Sequence, residues 1–392
     1  MYLHSCYIYI LYFIIILEKV KSLKAKIYSL LLLSLLILSA CNDKTNIEDI
    51  TMTLMLGIDL NENNELIVYS SNPVFDKEVL DKNEEYSVKA SSLREARGEL
   101  DSFLAGTISK GKMQVLLISK KVLQSENWFV LLDTLYRDSF SSINCKVIVV
   151  EESVADVIYS SPSDKIRLPL HMAKLIETGD KRHITQETTL HDVQSNHYSK
   201  TKTGFIPRIT YKNNSINLSG FTLLNHKDMY VSDINQYEGE LLQLLSSTKL
   251  DQLFLTTKLS TDDTNPFQTK LLSYNVGDLN RKIKVKYKND QFVFETDYSL
   301  AIYIKEALNE DPYKDREKIE EELKEKLTAD FIKLVKSFQE NGIDPVGFGE
   351  YARAFQYKHW EKVSDNWGDA FGKSNITFNV SVRIKDEGLN MR

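Results

Sequence analysis

A cysteine near the N terminus is the residue whose type and setting most directly predict chemistry in this chain. Four lysines precede an apolar run over positions 27–38, which ends at Leu38. The small residues Ser39 and Ala40 follow this run and directly precede Cys41. A basic segment, a short apolar segment and small residues before a cysteine are typical of a bacterial lipoprotein signal peptide. The pattern predicts cleavage between Ala40 and Cys41, followed by an N-acyl, S-diacylglycerol lipid on Cys41, and it predicts no cofactor beyond this covalent lipid. An ordinary signal peptide with a chance cysteine is the alternative.

The composition of the 392-residue chain indicates an ordinary globular protein and not a disordered one. Hydrophobic residues make up 42% and charged residues 27%, and the net charge is −6 at pH 7. This balance argues against nucleic acid as a partner, because nucleic-acid binding needs a basic surface. It also implies that lipid, and not bulk charge, holds the protein on an anionic membrane.

The three cysteines predict a protein that packing alone stabilises. Cys6 lies in the leader and Cys41 is the predicted lipid site, so Cys145 has no cysteine left to pair with. Cys145 stands at the start of the apolar run Val147-Ile148-Val149-Val150. A small buried hydrophobic residue is the favoured interpretation, and a reactive thiol is the alternative.

Changes in composition along the chain predict five segments. The signal peptide is 1–40, an N-terminal α/β domain is 41–160 and a polar connector is 161–204. A middle α+β region follows over 205–275, and a C-terminal α+β domain covers 276–392. Apolar runs at 52–60 and 65–69 flank an Asn-rich turn and predict a hairpin, and Ser92 with Glu95 predicts a helix N-cap.

The C-terminal segment has the clearest pattern. Alternating residues predict strands at 282–288, 292–294 and 300–304, and a long amphipathic helix opens at Asp311-Pro312 and ends at Asn341-Gly342. A last strand covers 376–384, which gives a β-β-β-α-β domain with an antiparallel sheet. The fold class is therefore multi-domain α+β, with mixed and antiparallel sheets packed against helices.

No catalytic signature in the sequence fits its surroundings. Gly347-Phe348-Gly349-Glu350 resembles a loose dinucleotide fingerprint, but it follows a helix end and not a strand. Four histidines fall within the connector without the spacing of a helical metal pair. The metal prediction is therefore none, although a zinc site assembled in space from those histidines stays open.

Several segments together resemble the Ger(x)C lipoprotein family, the C subunits of nutrient germinant receptors in bacterial endospores. The likeness covers nearly the whole chain after Cys41 and is most specific around Asp344-Pro345-Val346-Gly347-Phe348-Gly349-Glu350. It rests on segments 47–50, 56–59, 93–96, 115–118, 136–138, 206–209, 220–221 and 344–350, with Trp360, Trp367 and Phe371. Two departures are Asn42, where the family usually has tryptophan, and Lys112, where a histidine is common.

The glycines and tryptophans of the most specific segment allow two interpretations. The glycines permit a tight bend after the long helix. Trp360 and Trp367, seven residues apart, are expected on one face of a following helix, where they bury a large area against the sheet. The alternative is a surface that contacts another receptor subunit, with Gly347, Gly349, Glu350, Trp360 and Trp367 as candidate contacts.

The resemblance implies a non-enzymatic role in nutrient-triggered spore germination. Family members lie on the outer surface of the spore inner membrane beside two integral membrane subunits, A and B. The expected role is a lipid-anchored scaffold for those subunits. An extracytoplasmic solute-binding lipoprotein is the alternative, although such proteins usually have two similar lobes and this chain has unlike domains.

Overall fold

The fold is described from a computed structural model. Beyond residues 23–24 and 27–28, which are helical and exposed, it describes nine ranges: 50–74, 83–104, 106–139, 141–160, 167–247, 253–260, 269–309, 311 and 314–385. Ala40 and Cys41 lie outside the described residues. Among the described residues, no helix is long and apolar enough to span a membrane.

An eight-stranded sheet occupies the N-terminal half. Its order is β10-β9-β8-β7-β6-β2-β3-β4, and β2, β6, β7 and β8 run parallel at its centre. The strands are β2 (Met55–Leu60), β3 (Leu66–Pro73), β4 (Asn83–Lys89), β6 (Val115–Ser119), β7 (Lys146–Val150), β8 (Phe205–Lys212), β9 (Ser215–Leu224) and β10 (Tyr230–Ile234). A separate two-stranded sheet pairs β1 (Ile50–Met52) with β5 (Thr107–Ser109).

Helices cover both faces of the eight-stranded sheet, as a parallel centre requires. One face packs against α1 (Leu93–Asp101), α2 (Lys120–Leu123), a 3-10 turn (Trp128–Leu132), α3 (Asp133–Arg137) and α6 (Leu190–His197). The other face packs against α4 (Val154–Ile158) and α5 (Leu168–Lys181). All five residues of β6 are buried, which explains why that strand reads as a continuous apolar run.

The predicted hairpin, helix cap and buried cysteine are confirmed. β2 and β3 pair antiparallel, with Leu60 opposite Leu66. The Ser92 side chain accepts from the Glu95 amide at the start of α1. Cys145 precedes β7 and is 1% exposed, and burial raises the pKa of its thiol to about 12. A thiol with this pKa is unreactive at neutral pH.

A four-stranded sheet in the order β11-β12-β13-β14 forms the C-terminal half. Its strands are β11 (Leu253–Ser260), β12 (Lys270–Lys288), β13 (Gln291–Leu308) and β14 (Asn375–Ile384). Its helices are α7 (Gln236–Ser246), α8 (Arg316–Glu340), α9 (Phe348–Phe355), α10 (Tyr357–Trp360) and α11 (Trp367–Gly372), with a 3-10 turn at Glu361–Asn366. The apolar stripe of α8 packs into the same core as this sheet.

The multi-domain α+β class is confirmed, with three corrections in the C-terminal half. The predicted strand at 300–304 is the continuation of β13, and the third strand of the β-β-β-α-β arrangement is β11. The sheet is mixed, because β14 runs parallel to β13. Helix α8 begins at Arg316 and not at Asp311, while Pro312 lies outside the described residues. The predicted turn at Asn289-Asp290 is correct, and both residues adopt the left-handed conformation of a tight hairpin.

The boundary between the two large sheets does not coincide with the segment boundaries predicted from the sequence. Within the predicted middle region 205–275, β8, β9 and β10 join the eight-stranded sheet, while β11 joins the four-stranded sheet. Helices α5 and α6 lie within the predicted connector 161–204, and each covers a face of the eight-stranded sheet. These pairings join residues far apart in sequence, so periodicity within one segment carries no information about them.

Candidate functional site

The segment after α8 makes the bend that the glycines predict. Gly342 has a φ of +62° and Gly347 a φ of +86°, a region of backbone conformation that favours glycine. The first ends α8, and the second lies immediately before α9. We call residues 344–350 the Asp344 loop.

A fully buried carboxylate organises the Asp344 loop. Asp344 Oδ1 accepts from the amides of Gly347 at 2.8 Å and Phe348 at 3.1 Å. Its Oδ2 accepts from the Gly349 amide at 2.8 Å and from Trp367 Nε1 at 2.9 Å. Burial raises the pKa of Asp344 to about 6, although all four donors act to lower it. The carboxylate thereby satisfies the first amides of α9, which have no partner within the helix.

The backbone of Asp344 joins the loop to the segment that leads into β8. Its amide donates to Thr203 Oγ1 at 3.1 Å, and its carbonyl accepts from the Thr203 amide at 3.1 Å. Gly349 lies close to the same segment, because a Cβ there would stand 2.2 Å from the Thr201 carbonyl oxygen. The loop therefore connects the two halves of the chain through buried hydrogen bonds.

A polar cleft of about 450 Å³ opens beside the Asp344 loop, between α6, α7 and β12. Pro345, Val346 and Phe205 contribute its apolar surface. Its charged lining residues are Asp180, Glu187, Asp192, Glu350, Lys202 and Arg281.

Most charged groups of the cleft already serve the fold. Asp192 caps α6, Asp180 accepts from the Glu187 amide at 2.8 Å, and Glu187 pairs with Lys146 at 3.1 Å. Arg281 donates to the Tyr351 hydroxyl at 2.8 Å and to the Leu245 carbonyl at the end of α7. Glu350 differs, because its side chain is exposed. Its ion pair with Lys202 is a loose one, with 3.8 Å between Glu350 Oε1 and Lys202 Nζ. The arrangement suits polar contact at the mouth of the cleft.

The structure separates the five candidate contact residues by burial. Gly347, Gly349, Trp360 and Trp367 are buried, and Glu350 alone is exposed. Trp367 is fully buried and stands edge-on to Phe292 in the core. The four buried residues therefore support the loop and the core, as the packing interpretation expected.

The expectation that one helix carries both tryptophans is wrong. Trp360 ends α10, and Trp367 begins α11 after a 3-10 turn. Asn366 breaks the path between them with φ −132° and ψ 38°, outside the helical region. This break turns the Trp367 indole toward Asp344, where its N–H finds a buried acceptor.

The hydrogen-bonding role of Asp344 and its link to Thr203 were not foreseen from sequence. In the sequence, Asp344 stands out only as part of the family-like segment 344–350. The sequence signal for this role is an Asp-Pro pair followed by glycines just before a helix. Aspartate at such a position often accepts hydrogen bonds from the free amides at the helix start.

The open question of a zinc site receives no support from the described residues, where no group of three or more metal-ligating side chains comes together. His197 instead hydrogen-bonds the carboxylate of Asp228 through Nδ1, and its ring stacks on Phe129 at 3.7 Å. Burial raises the pKa of Asp228 even beside His197. His191 is exposed, 4.0 Å from Asp192.

Replacing Asp344 with asparagine should destabilise the protein by about 3 kcal/mol, because an amide NH₂ would face N–H donors and leave buried groups unsatisfied. Asp369→Asn is the matched control, since Asp369 is exposed on α11. Urea unfolding of both variants measures the difference. Equal free energies of unfolding for the two variants would contradict the role assigned to Asp344.

Comparison with known proteins gives consistent matches along the chain. The model of the spore germination protein N-terminal domain matches residues 43–211, and that of the spore germination B3/GerAC-like C-terminal domain matches residues 219–388. Spore germination protein A3 of Bacillus subtilis (strain 168) is 23% identical over 368 residues, covering 90% of this chain and 95% of that protein. Spore germination protein YndF of the same strain is 23% identical over 288 residues, covering 70% and 68%.

A solved structure shares the fold. The crystal structure of the GerBC protein aligns with a TM-score of 0.54 at 17% identity, covering 84% of this chain and 97% of that one. The two family models together span most of the sequence, and the shared fold agrees with them. The chain therefore belongs to the Ger(x)C family of spore germination proteins, the germinant receptor C subunits.

Proposed function

We propose that this chain is a lipid-anchored C subunit that acts as a scaffold for the integral membrane A and B subunits of a germinant receptor. In this proposal it lies on the outer surface of the spore inner membrane. The observation that carries the proposal is the extent of the family match. The N-terminal family model begins at residue 43, two residues after Cys41 and within the predicted mature chain.

Lipid on Cys41 would provide the attachment to the membrane. An acyl chain contributes about 0.8 kcal/mol per buried methylene, and two or more chains are needed for stable anchoring. The chain has a net charge of −6, so attraction to anionic lipid does not replace the anchor.

The mouth of the cleft supports the scaffold role. Glu350 and Lys202 are accessible there, on a loop and a segment that the buried Asp344 holds in place. A contact surface on a rigid support loses little conformational entropy on binding. We therefore propose Glu350 as a contact to a receptor subunit.

The cleft volume of about 450 Å³ also keeps the solute-binding alternative as a second candidate. It lies within the size range of small-molecule sites. A rise in melting temperature with an added amino acid or nucleoside would favour that alternative, because a ligand that binds the native state stabilises it. No rise across a panel would favour the scaffold.

Cys41→Ala should abolish labelling of the protein by an alkynyl fatty acid and should stop nutrient-triggered dipicolinate release. Cys145→Ala is the matched control and should keep both, because Cys145 is buried in the N-terminal half. Calcium-dipicolinate serves as the receptor-independent trigger, and blots report subunit levels. Retained labelling of Cys41→Ala would contradict the lipid site. If the Cys41→Ala protein is not labelled and its spores still respond normally to every nutrient, lipid anchoring is not required for germination.

Glu350→Arg should reduce recovery of the A and B subunits when the tagged chain is purified from spores. Its melting temperature should stay within about 1 °C of the wild type, since exposed ion pairs contribute about 0–1 kcal/mol. Glu361→Arg is the control, an equal charge reversal at an exposed site of the same half. Full recovery of both subunits with Glu350→Arg would refute Glu350 as a contact.

A further inference from the structure

Strand β14 forms one edge of the C-terminal sheet and leaves backbone groups on its outer side. The Lys385 amide donates to the Ile302 carbonyl of β13, so odd-numbered residues of β14 direct their backbone groups toward β13. Even-numbered residues therefore direct theirs outward. Ile384 agrees with this alternation, because its amide donates to Glu320 at 2.7 Å and its carbonyl accepts from Arg316.

Four more residues of β14 share that outward direction: Ile376, Phe378, Val380 and Val382. Among the described residues, no hydrogen bond engages their outward N–H and C=O groups. Eight backbone groups thus form an open edge, which is a template for another strand.

Proteins usually protect such edges with charged residues, proline or bulges. β4 has Glu84, Glu85 and Lys89, while the pairings of β10 and β11 contain register shifts. From Asn375 to Val382, β14 has no charge and no proline, and its pairing with β13 has no shift. This edge is therefore open to strand addition in a way that the other ends of the eight-stranded and four-stranded sheets are not.

A groove of about 570 Å³ lies beside this edge, between β14 and α8. Helix α8 runs antiparallel to β14, because Gln339 donates to the Ser374 carbonyl at one end and Glu320 accepts from Ile384 at the other. Asn379, the middle of the open edge, therefore stands level with Thr328 and Ala329, the middle of the helix. Small side chains at that level permit close approach of a second helix.

We propose that β14 pairs antiparallel with β14 of a second copy of this chain, about a two-fold axis at Asn379. This register makes Phe378 and Val380 of opposite copies a hydrogen-bonded pair, and likewise Ile376 and Val382. All eight open groups are then satisfied. The two four-stranded sheets become one eight-stranded sheet, and the interface uses the same surface of both copies.

Charge along α8 favours a second copy as the occupant. The two-fold axis passes at the level of Thr328 and Ala329. A residue that precedes this level on α8 of one copy therefore faces the residue that follows it by the same distance on α8 of the other copy. Glu321 of one copy then stands level with Lys336 of the other, and both are exposed. The exposed Ile332, which lines the groove, loses water contact on pairing. Opposite charges at opposite ends of one helix face are complementary only in an antiparallel arrangement.

Asn379→Cys in the full chain, produced in a sporulating host and extracted in mild detergent, tests the pairing. On oxidation it should form a disulfide-linked homodimer, because opposed non-hydrogen-bonded residues have Cα atoms about 4.5 Å apart, within the range for a disulfide. Asn280→Cys is the matched control. It is exposed on β12, two strands from the edge, so its two copies would lie about 24 Å apart. The wild type reports background from the native cysteines.

Charge variants provide a second measurement by sedimentation. Asn379→Lys should convert the dimer to monomer, because like charges directly opposed across strands repel. Glu321→Lys should weaken the dimer, and adding Lys336→Glu to it should restore the dimer. The proposal is overturned if Asn379→Cys yields no more homodimer than Asn280→Cys, or if it is captured only by a different polypeptide.

Discussion

The burial of the Asp344 carboxylate is the constraint on which the junction of the two halves depends. A buried charge is tolerated only when hydrogen bonds replace the water it has lost. Asp344 obtains four donors from the loop, from the start of α9 and from Trp367. Its own backbone is hydrogen-bonded to Thr203, the segment entering β8. One residue therefore fixes a helix start, a core tryptophan and the contact between the N-terminal and C-terminal sequences.

The charged groups of the cleft belong largely to the same framework. Most of them already serve helix capping or ion pairing. Two sheets of different architecture are held in one body by buried hydrogen bonds. The two surfaces proposed for partners are Glu350 at the mouth of the cleft and the open edge of β14.

Sequence reasoning succeeded where the determining physics was local. The Asn289-Asp290 turn, the Ser92 cap and the Gly342 helix end each depend on a few adjacent residues. It failed where distant segments decide the outcome. Nothing within β11 shows that it joins β12, and nothing within β14 shows that it runs parallel to β13.

The candidate site shows the same division between local and distant causes. Its glycines were identified because a bend requires them, and the exposed Glu350 was named among the candidate contacts. The role of Asp344 was missed because its donors come partly from Trp367, 23 residues away, and its backbone partner Thr203 is 141 residues away. Separation of Trp360 and Trp367 was missed because a single residue, Asn366, leaves the helical conformation.

Amide hydrogen exchange at Gly347, Phe348 and Gly349 tests the central claim most directly. If the buried Asp344 carboxylate holds these amides, their protection should approach that of the amides in the core of β13, because opening them would require breaking the junction. Exchange at the rate of an exposed loop, with β13 still protected, would contradict the account.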